Sequence, residues 1–224
     1  MVYILHSKIT HPLPLPIFRR YLKALPPTCQ VKTLGYRRWQ DRQATMFGKL
    51  LLIQALLDLE ATSTISNLRY TVYDRPFLDE KLDFNISHSG EYVVCAISRT
   101  SHVGIDIERI HQVDLDDYES QWTKKELDGI VNANHPHTVF FDWWTRKEAV
   151  LKASGLGLNI ELNKIDITTE LVTVNDGTWY LQKFNISHGY SCHLATSKAE
   201  ESIVSKAINY YQDDRAGAFE ATAC

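Results

Sequence analysis

An internal repeat constrains the fold of this 224-residue chain more than any other feature of its sequence. The pentapeptide Phe-Asn-Ile-Ser-His occurs at residues 84–88 and again at residues 184–188, and a glycine and an apolar stretch follow each copy. Such a repeat predicts a duplicated α+β unit, because one supersecondary unit buries its apolar face against the next. The alternative is a chance identity between two similar strand–turn–strand pieces.

Apolar periodicity and helix breakers predict alternating helices and strands. The prolines of residues 10–16 predict an extended segment, because proline fixes φ and lacks an N–H. Helices are expected at residues 18–25, 38–59, 115–131 and 140–153. Strands are expected at residues 68–73, 84–87, 92–98, 103–108, 165–168, 171–174, 179–184 and 191–195. The remaining C-terminal tail, residues 199–224, has a short helical pattern at its start.

The net charge of −3 conceals an uneven distribution along the chain. Residues 1–50 carry nine basic groups and one acidic group, whereas the other 174 residues carry 15 basic and 26 acidic groups. Such a split predicts that different parts of the chain meet different partners. One hypothesis is a non-catalytic module whose basic region binds RNA or another polyanion, although no aromatic stacking motif accompanies the basic residues.

Several other classes of protein are disfavoured. No Cys-x-x-Cys pair occurs, which argues against a zinc ribbon, and a disulfide scaffold is not expected in a chain of this length. The four cysteines are Cys29, Cys95, Cys192 and Cys224. The first residues lack the basic lead of a signal peptide. The longest apolar stretch, residues 50–59, is too short to span a bilayer. We therefore expect a cytoplasmic protein that does not enter a membrane.

Two carboxylates follow an apolar run in the stretch Gly104-Ile105-Asp106-Ile107-Glu108. Because strand side chains alternate, Asp106 and Glu108 are expected on one face. Neighbouring carboxylates repel each other unless a cation lies between them, and hard oxygen ligands suit Mg²⁺. The alternative is an edge strand with a solvated acidic face.

A third carboxylate falls in the predicted helix at residues 140–153. At about 100° per residue, Glu148 shares a face with Trp144, Leu151 and Lys152. A carboxylate within an apolar stripe needs a partner. Lys152 can pair with it at i,i+4, or Glu148 can complete a Mg²⁺ site while Lys152 meets a phosphate.

Two further motifs bear on the site. The turn Ser87-His88-Ser89-Gly90 offers hydroxyls, an imidazole and free backbone N–H groups, which together can cradle a phosphate. A second Trp-Thr-x-Lys-Glu motif occurs at residues 122–126 and matches the pattern of residues 144–148. It is not followed by an apolar helix stripe. We therefore rank Glu126 below Glu148.

In this order and at these distances, the motifs resemble the signature of 4′-phosphopantetheinyl transferases of the surfactin-synthetase-activating (Sfp) type. The resemblance implies an α+β fold of two similar α/β halves related by a pseudo-two-fold axis, in a monomer. It implies an N-terminal half of residues 1–103, which contacts the nucleotide, and a C-terminal half of residues 104–198, which carries the metal ligands. The tail at residues 199–224 matches nothing in the family.

The resemblance also implies a reaction and its residues. Phosphopantetheine moves from coenzyme A to a serine of an acyl or peptidyl carrier protein, without nucleic acid or membrane partners. The implied ligands of Mg²⁺, or of Mn²⁺ as the alternative, are Asp106, Glu108 and Glu148. The implied catalytic residues are Glu148, Lys152 and Asp106. The implied coenzyme A contacts are Lys32, Thr45, Arg75, Ser87, His88, Lys147 and Lys152.

One departure and one alternative remain. The family often has an arginine immediately before the position of Thr45, where this chain has Ala44, and Arg42 is the candidate substitute.

A Mg²⁺-dependent phosphohydrolase could use the same three carboxylates with water as the acceptor.

Overall fold

The computed structural model describes residues 1–78, 81–157, 160–199 and 201–212. Within these residues the strands form two four-stranded sheets and one two-stranded hairpin, β2 and β3, at Arg69–Tyr70 and Pro76–Phe77. None of the helices in these ranges is long and apolar enough to cross a membrane.

The first sheet has the strand order β10-β1-β5-β4. Strand β1 lies antiparallel to β5 and parallel to β10, and β4 pairs with β5 in a hairpin. The strands are β1 (Val2–Lys8), β4 (Asp83–Ser89), β5 (Tyr92–Ser98) and β10 (Ile203–Ala207). Three helices, α1 (Leu15–Lys23), α2 (Pro27–Gly35) and α3 (Trp39–Asp58), belong to the same half. Phe47 and Leu51 of α3 join Leu5, Phe84 and Ile97 in its apolar core.

The second sheet has the order β6-β9-β8-β7 and is antiparallel throughout. Its strands are β6 (Val103–Arg109), β7 (Leu171–Val174), β8 (Gly177–Lys183) and β9 (Tyr190–Thr196). Helices α4 (Lys124–Val131) and α5 (Pro136–Ser154) accompany it. Gly155 ends α5 with a left-handed φ of 69°, as C-terminal glycines do.

Helix α5 packs directly against the backbone of β6 at Gly104. A Cβ atom added there would lie 2.1 Å from the carbonyl oxygen of Ala149 and 2.3 Å from the backbone nitrogen of Ala153. Glycine is therefore required for this close approach. The contact sets the α5 residues that follow Ala149 beside the carboxylates of β6.

The duplicated architecture is confirmed. Each half contains a first strand, a long helix and a hairpin, namely β1, α3, β4 and β5 in the first half and β6, α5, β8 and β9 in the second. The pentapeptide is a poor marker of this symmetry, however. Phe84 pairs with Ile97, thirteen residues later, whereas the N–H of Phe184 donates to the carbonyl of Cys192, eight residues later. The two copies thus occupy different positions in their hairpins.

Proline and tertiary pairing explain the elements that were predicted wrongly. The extended segment ends early because α1 begins at Leu15, and proline is tolerated in the first turn of a helix. Helix α2 begins at Pro27 for the same reason and was not predicted. The short helix expected after residue 199 is wrong, because Ile203–Ala207 forms a strand against β1. Residues 165–168 form no strand.

Candidate active site

Strands β4 and β6 are edge strands of the two sheets, and side chains of β4 bind the backbone of β6. Every second residue of β4 accepts a hydrogen bond from a β6 N–H group, which is the spacing that strand periodicity dictates. The donors are Val103, Ile105, Ile107 and Arg109, and the acceptors are Asp83 (2.8 Å), Asn85 (3.0 Å), Ser87 (3.4 Å) and Ser89 (3.0 Å). We call these four acceptors the polar ladder. It joins the two halves of the molecule.

The polar ladder also positions the two carboxylates of β6. The hydroxyl of Ser87 donates to Asp106 Oδ1 at 2.9 Å, and the hydroxyl of Ser89 donates to Glu108 Oε2 at 2.6 Å. Asp106 is only 3% exposed, and its Oδ2 atom has no hydrogen-bond partner among the described residues. A buried oxygen without a partner is costly, so this atom is poised to meet a ligand.

Lys152 of α5 pairs with Asp106 across the boundary between the halves. Its Nζ atom donates to Asp106 Oδ1 at 2.5 Å and to Ser87 Oγ at 3.1 Å, while 28% of the side chain stays exposed. The alternative i,i+4 ion pair between Glu148 and Lys152 does not form among the described contacts. The nearby carboxylates raise the pKa of Lys152 although burial opposes this, so the side chain remains charged.

Glu108, Glu148 and Asp106 influence one another electrostatically. Burial raises the pKa of Glu108, and the charges of Asp106 and Glu148 raise it further, against the hydrogen bond from Ser89. Burial, followed by the charge of Asp106, also raises the pKa of Glu148. Crowded carboxylates of this kind favour a bound cation. Among the described residues, however, no three metal-binding side chains already stand close enough to hold a metal ion.

Two adjoining cavities open beside this cluster. The first, which we call the α5 cavity, has a volume of about 250 Å³ and is lined by Arg75, Glu148 and Lys152, among others. The second, the α3 cavity, has a volume of about 230 Å³ and is lined by residues that include Lys32, Thr45, Lys49 and His88. Asp74, Pro76 and Asn85 line both cavities. The two cavities therefore form one cleft along the junction of the halves.

The α3 cavity gathers three of the residues predicted to contact the nucleotide, Lys32, Thr45 and His88. More than a third of His88 is exposed, yet its partial burial lowers its pKa, and the charge of Lys152 lowers it further. Lys49 lines the same cavity and was not predicted. It follows Thr45 by one helical turn, a spacing that could have indicated it.

Arg75 lines the α5 cavity and also ties the β2–β3 hairpin to both halves. Its Nη2 atom lies 2.8 Å from Asp83 Oδ2 and 3.2 Å from the carbonyl oxygen of Val103. Its Nε atom donates to the carbonyl of Lys152 at 3.1 Å. Two of its three guanidinium nitrogens are thus occupied by the protein, which makes Arg75 at least as much a structural residue as a ligand contact.

The predicted role of Lys147 as a coenzyme A contact is not supported, and we correct it. Its side chain is fully buried, and Nζ donates to Glu126 Oε2 at 2.9 Å and to the carbonyls of Leu162 and Ile165 at 2.8 and 2.9 Å. The ammonium group has three donors and all are used. Lys147 also lines neither of the two cavities. Glu126 is the carboxylate that neutralises Lys147 in the interior.

Comparisons with known proteins match both halves of the chain. A family model described as "4'-phosphopantetheinyl transferase, N-terminal" matches residues 15–100, and one described as "4'-phosphopantetheinyl transferase superfamily" matches residues 102–204. The 4'-phosphopantetheinyl transferase gsp of Aneurinibacillus migulanus is 32% identical over 73% of this chain and 70% of its own length. The chain belongs to the 4′-phosphopantetheinyl transferase superfamily.

Two further transferases match over shorter stretches. Sfp of Bacillus subtilis is 25% identical over 66% of this chain and 68% of its own length. The L-aminoadipate-semialdehyde dehydrogenase-phosphopantetheinyl transferase of Xenopus laevis is 30% identical over 63% of this chain and 53% of its own length. Together with gsp, they identify this chain as a phosphopantetheinyl transferase of the Sfp type.

Proposed function

We propose that this transferase moves phosphopantetheine from coenzyme A to a serine of an acyl or peptidyl carrier protein. Adenosine 3′,5′-bisphosphate is the other product. The observation that carries the proposal is the cleft, in which the α5 cavity holds Glu148 and Lys152 and the adjoining α3 cavity holds Lys32, Thr45 and His88. A donor with a pyrophosphate and a nucleotide needs two such neighbouring binding regions.

The pyrophosphate is assigned to the α5 cavity. Lys152 presents a charged, partly exposed ammonium group there, and the hydroxyl of Ser87 lies 3.1 Å from it. Phosphoryl transfer depends mainly on positioning and on charge neutralisation, which a fixed lysine supplies. The nucleotide is assigned to the α3 cavity, where Lys32, Thr45 and His88 contact it.

The carboxylate cluster fits Mg²⁺, or Mn²⁺ as the alternative. Asp106, Glu108 and Glu148 would hold the ion, since hard oxygen donors suit it and Asp106 Oδ2 is buried without a partner among the described residues. When bound, the ion neutralises pyrophosphate charge. Ser87 and Ser89 hold Asp106 and Glu108 in place through their hydrogen bonds.

Glu148 is the proposed base. It lines the α5 cavity and can accept the proton of the carrier serine, directly or through a water. The serine oxygen then forms a bond to the phosphorus that bears pantetheine, and the bridging P–O bond breaks. The electron pair of that bond leaves with adenosine 3′,5′-bisphosphate.

The remaining assignments are also proposals. The halves meet near residue 103, and the chain acts as a cytoplasmic monomer without membrane or nucleic-acid partners. The basic excess of residues 1–50 attracts a carrier protein of acidic character. Because those exposed charges are screened by salt, raising the ionic strength weakens carrier binding more than coenzyme A binding.

The test is incubation with coenzyme A, Mg²⁺ and an apo carrier protein, followed by the intact mass of the carrier. We expect a gain of one phosphopantetheine, which is lost in Glu148→Ala and with a chelator. Consumption of coenzyme A without carrier modification, across several carrier types, would indicate a phosphohydrolase instead. Tight RNA binding without turnover would indicate a polyanion-binding module.

A further inference from the structure

The polar ladder ends beside the turn of the β4–β5 hairpin, which consists of Gly90 and Glu91. At the same end of the ladder, β6 and β9 pair Arg109 with Tyr190. Tyr190 belongs to the second half, yet its hydroxyl oxygen accepts the N–H of Glu91 at 3.0 Å. This hydrogen bond therefore joins the two halves at the last step of the ladder.

The turn is shaped to receive this tyrosine. Gly90 has a left-handed φ of 54°, which glycine adopts readily at the first position of a two-residue hairpin turn. A Cβ atom there would lie 2.5 Å from the hydroxyl oxygen of Tyr190, so a larger residue would displace the tyrosine. The rings of Tyr190 and Tyr92 also meet edge to face, with their centroids 4.9 Å apart. Tyr190 thus contacts three consecutive residues of the hairpin.

Ser89 directly precedes the turn and links it to the proposed metal site. Its hydroxyl donates to Glu108 Oε2 at 2.6 Å and accepts the N–H of Arg109 at 3.0 Å. Within the described ranges no other side chain hydrogen-bonds to Glu108, and no ion pair holds it. The direction of Glu108 therefore depends on Ser89, and the position of Ser89 depends on the turn that follows it.

We infer that Tyr190 is a positioning residue for the metal site. By holding the turn at residues 90–91 against β9, it keeps Ser89 in place and so fixes the direction of Glu108. The inference rests on the proposed function, because that function assigns Glu108 to the ion. It adds a residue of β9 that lies outside the family motifs.

The experiment measures Mn²⁺ binding by electron paramagnetic resonance, with coenzyme A present, without a carrier and against a blank without protein. We expect Ser89→Ala to weaken Mn²⁺ binding about 10- to 100-fold, the range for a hydrogen-bond partner of a metal ligand. Tyr190→Phe should weaken it about three- to tenfold, because the turn loosens while Ser89 remains. Tyr92→Phe is the matched control, since it keeps the ring contact and removes a hydroxyl without a hydrogen bond among the described residues. It should bind Mn²⁺ like the wild type.

A double variant separates positioning from a general loosening of the fold. If Tyr190 acts through Ser89, adding Tyr190→Phe to Ser89→Ala should change Mn²⁺ binding less than about twofold, because effects within one chain of contacts do not add. Full additivity of the two effects would overturn the inference. Wild-type Mn²⁺ binding in Tyr190→Phe alone would also overturn it, even if the wild type transfers phosphopantetheine normally.

Thermal unfolding of all the variants controls for lost stability. Val174→Ala truncates a buried side chain of β7, at the opposite edge of the second sheet, so it should unfold earlier than the wild type but bind Mn²⁺ equally well. Weakened Mn²⁺ binding in Val174→Ala would show that lost stability alone lowers the affinity, which contradicts the inference. The expected pattern of Mn²⁺ binding, with no transfer by the wild type to any carrier, would support the inference and remove the proposed function.

Discussion

Lys147 and Lys152 lie on the same helix but have different surroundings. Lys147 is fully enclosed and makes three hydrogen bonds, including the ion pair with Glu126. Lys152 is 28% exposed and bridges Asp106 and Ser87 at the cleft. The sequence motif contains both lysines and does not say which face of the helix each occupies. Only the direction of each side chain separates a structural lysine from a functional one.

Replacing each lysine by methionine separates these roles. Lys147→Met leaves Glu126 buried without its cation, which should lower the free energy of unfolding by about 3–5 kcal/mol. In the fraction that folds, the KM for coenzyme A should stay within about threefold. Lys152→Met should instead lower kcat/KM about 100-fold or more, because it removes the charge that we propose to meet the pyrophosphate. Urea unfolding and steady-state kinetics check both variants.

A double variant keeps the test of Lys147 valid if the single variant does not fold. If Lys147→Met does not fold, Lys147→Met combined with Glu126→Gln removes both charges and should recover part of the stability. A raised KM for coenzyme A in that folded double variant, with unchanged kcat, would restore Lys147 as a substrate contact.

Asp106 is the most buried of the three carboxylates of the site. It pairs with Lys152, accepts from Ser87 and keeps a buried oxygen free of described partners. Asp106→Asn should lower the transfer rate by about 10³-fold or more, equivalent to roughly 4 kcal/mol of barrier. Measurement of kcat/KM from carrier mass checks this. A loss smaller than tenfold, at saturating Mg²⁺, would contradict the role assigned to Asp106.

At the scale of the elements, the approach of α5 to β6 fixes the site. Gly104→Ala would place a Cβ atom against the backbone of Ala149 and Ala153, so α5 must shift. We expect a destabilisation of about 1–3 kcal/mol or more and a loss of transfer activity. Gly35→Ala is the matched control, since a Cβ there has no neighbour within 4 Å. Denaturant unfolding of both variants tests this, and equal stability for the two would contradict it.

Some elements follow from local sequence and others depend on distant pairing. Strand β5 matches its predicted residues, because its β-branched and apolar residues are buried on both faces. Strand β10 was predicted as helix, since only its parallel pairing with β1, some 200 residues away, makes it a strand. The alternation in β6 predicted the shared face of Asp106 and Glu108. The polar ladder could not be predicted, because nothing in the repeat says which strands of the two halves meet.

At the scale of the whole molecule, buried His193 links stability to pH. Burial lowers its pKa to about 4, with its ring bonded to Thr145 at 2.8 Å. The unfolded chain binds a proton near pH 6.5 and the folded chain only near pH 4, so stability falls as the pH falls through this window. We expect a loss of about 2 kcal/mol between pH 7.5 and pH 5 from this group.

His193→Gln isolates this contribution, because every other titratable group is the same in the two proteins. Urea unfolding at pH 7.5 and pH 5 should show a smaller loss of stability in the variant than in the wild type. An identical loss in the two proteins would mean that His193 does not provide the linkage.

The fate of coenzyme A in the presence of an apo carrier protein distinguishes a transferase from a hydrolase. The most direct measurement quantifies both products of one incubation with Mg²⁺, phosphopantetheinyl-carrier by intact mass and adenosine 3′,5′-bisphosphate by chromatography. We expect equal amounts of the two products, and the loss of both products in Asp106→Asn. Release of adenosine 3′,5′-bisphosphate without a matching gain in carrier mass would contradict it.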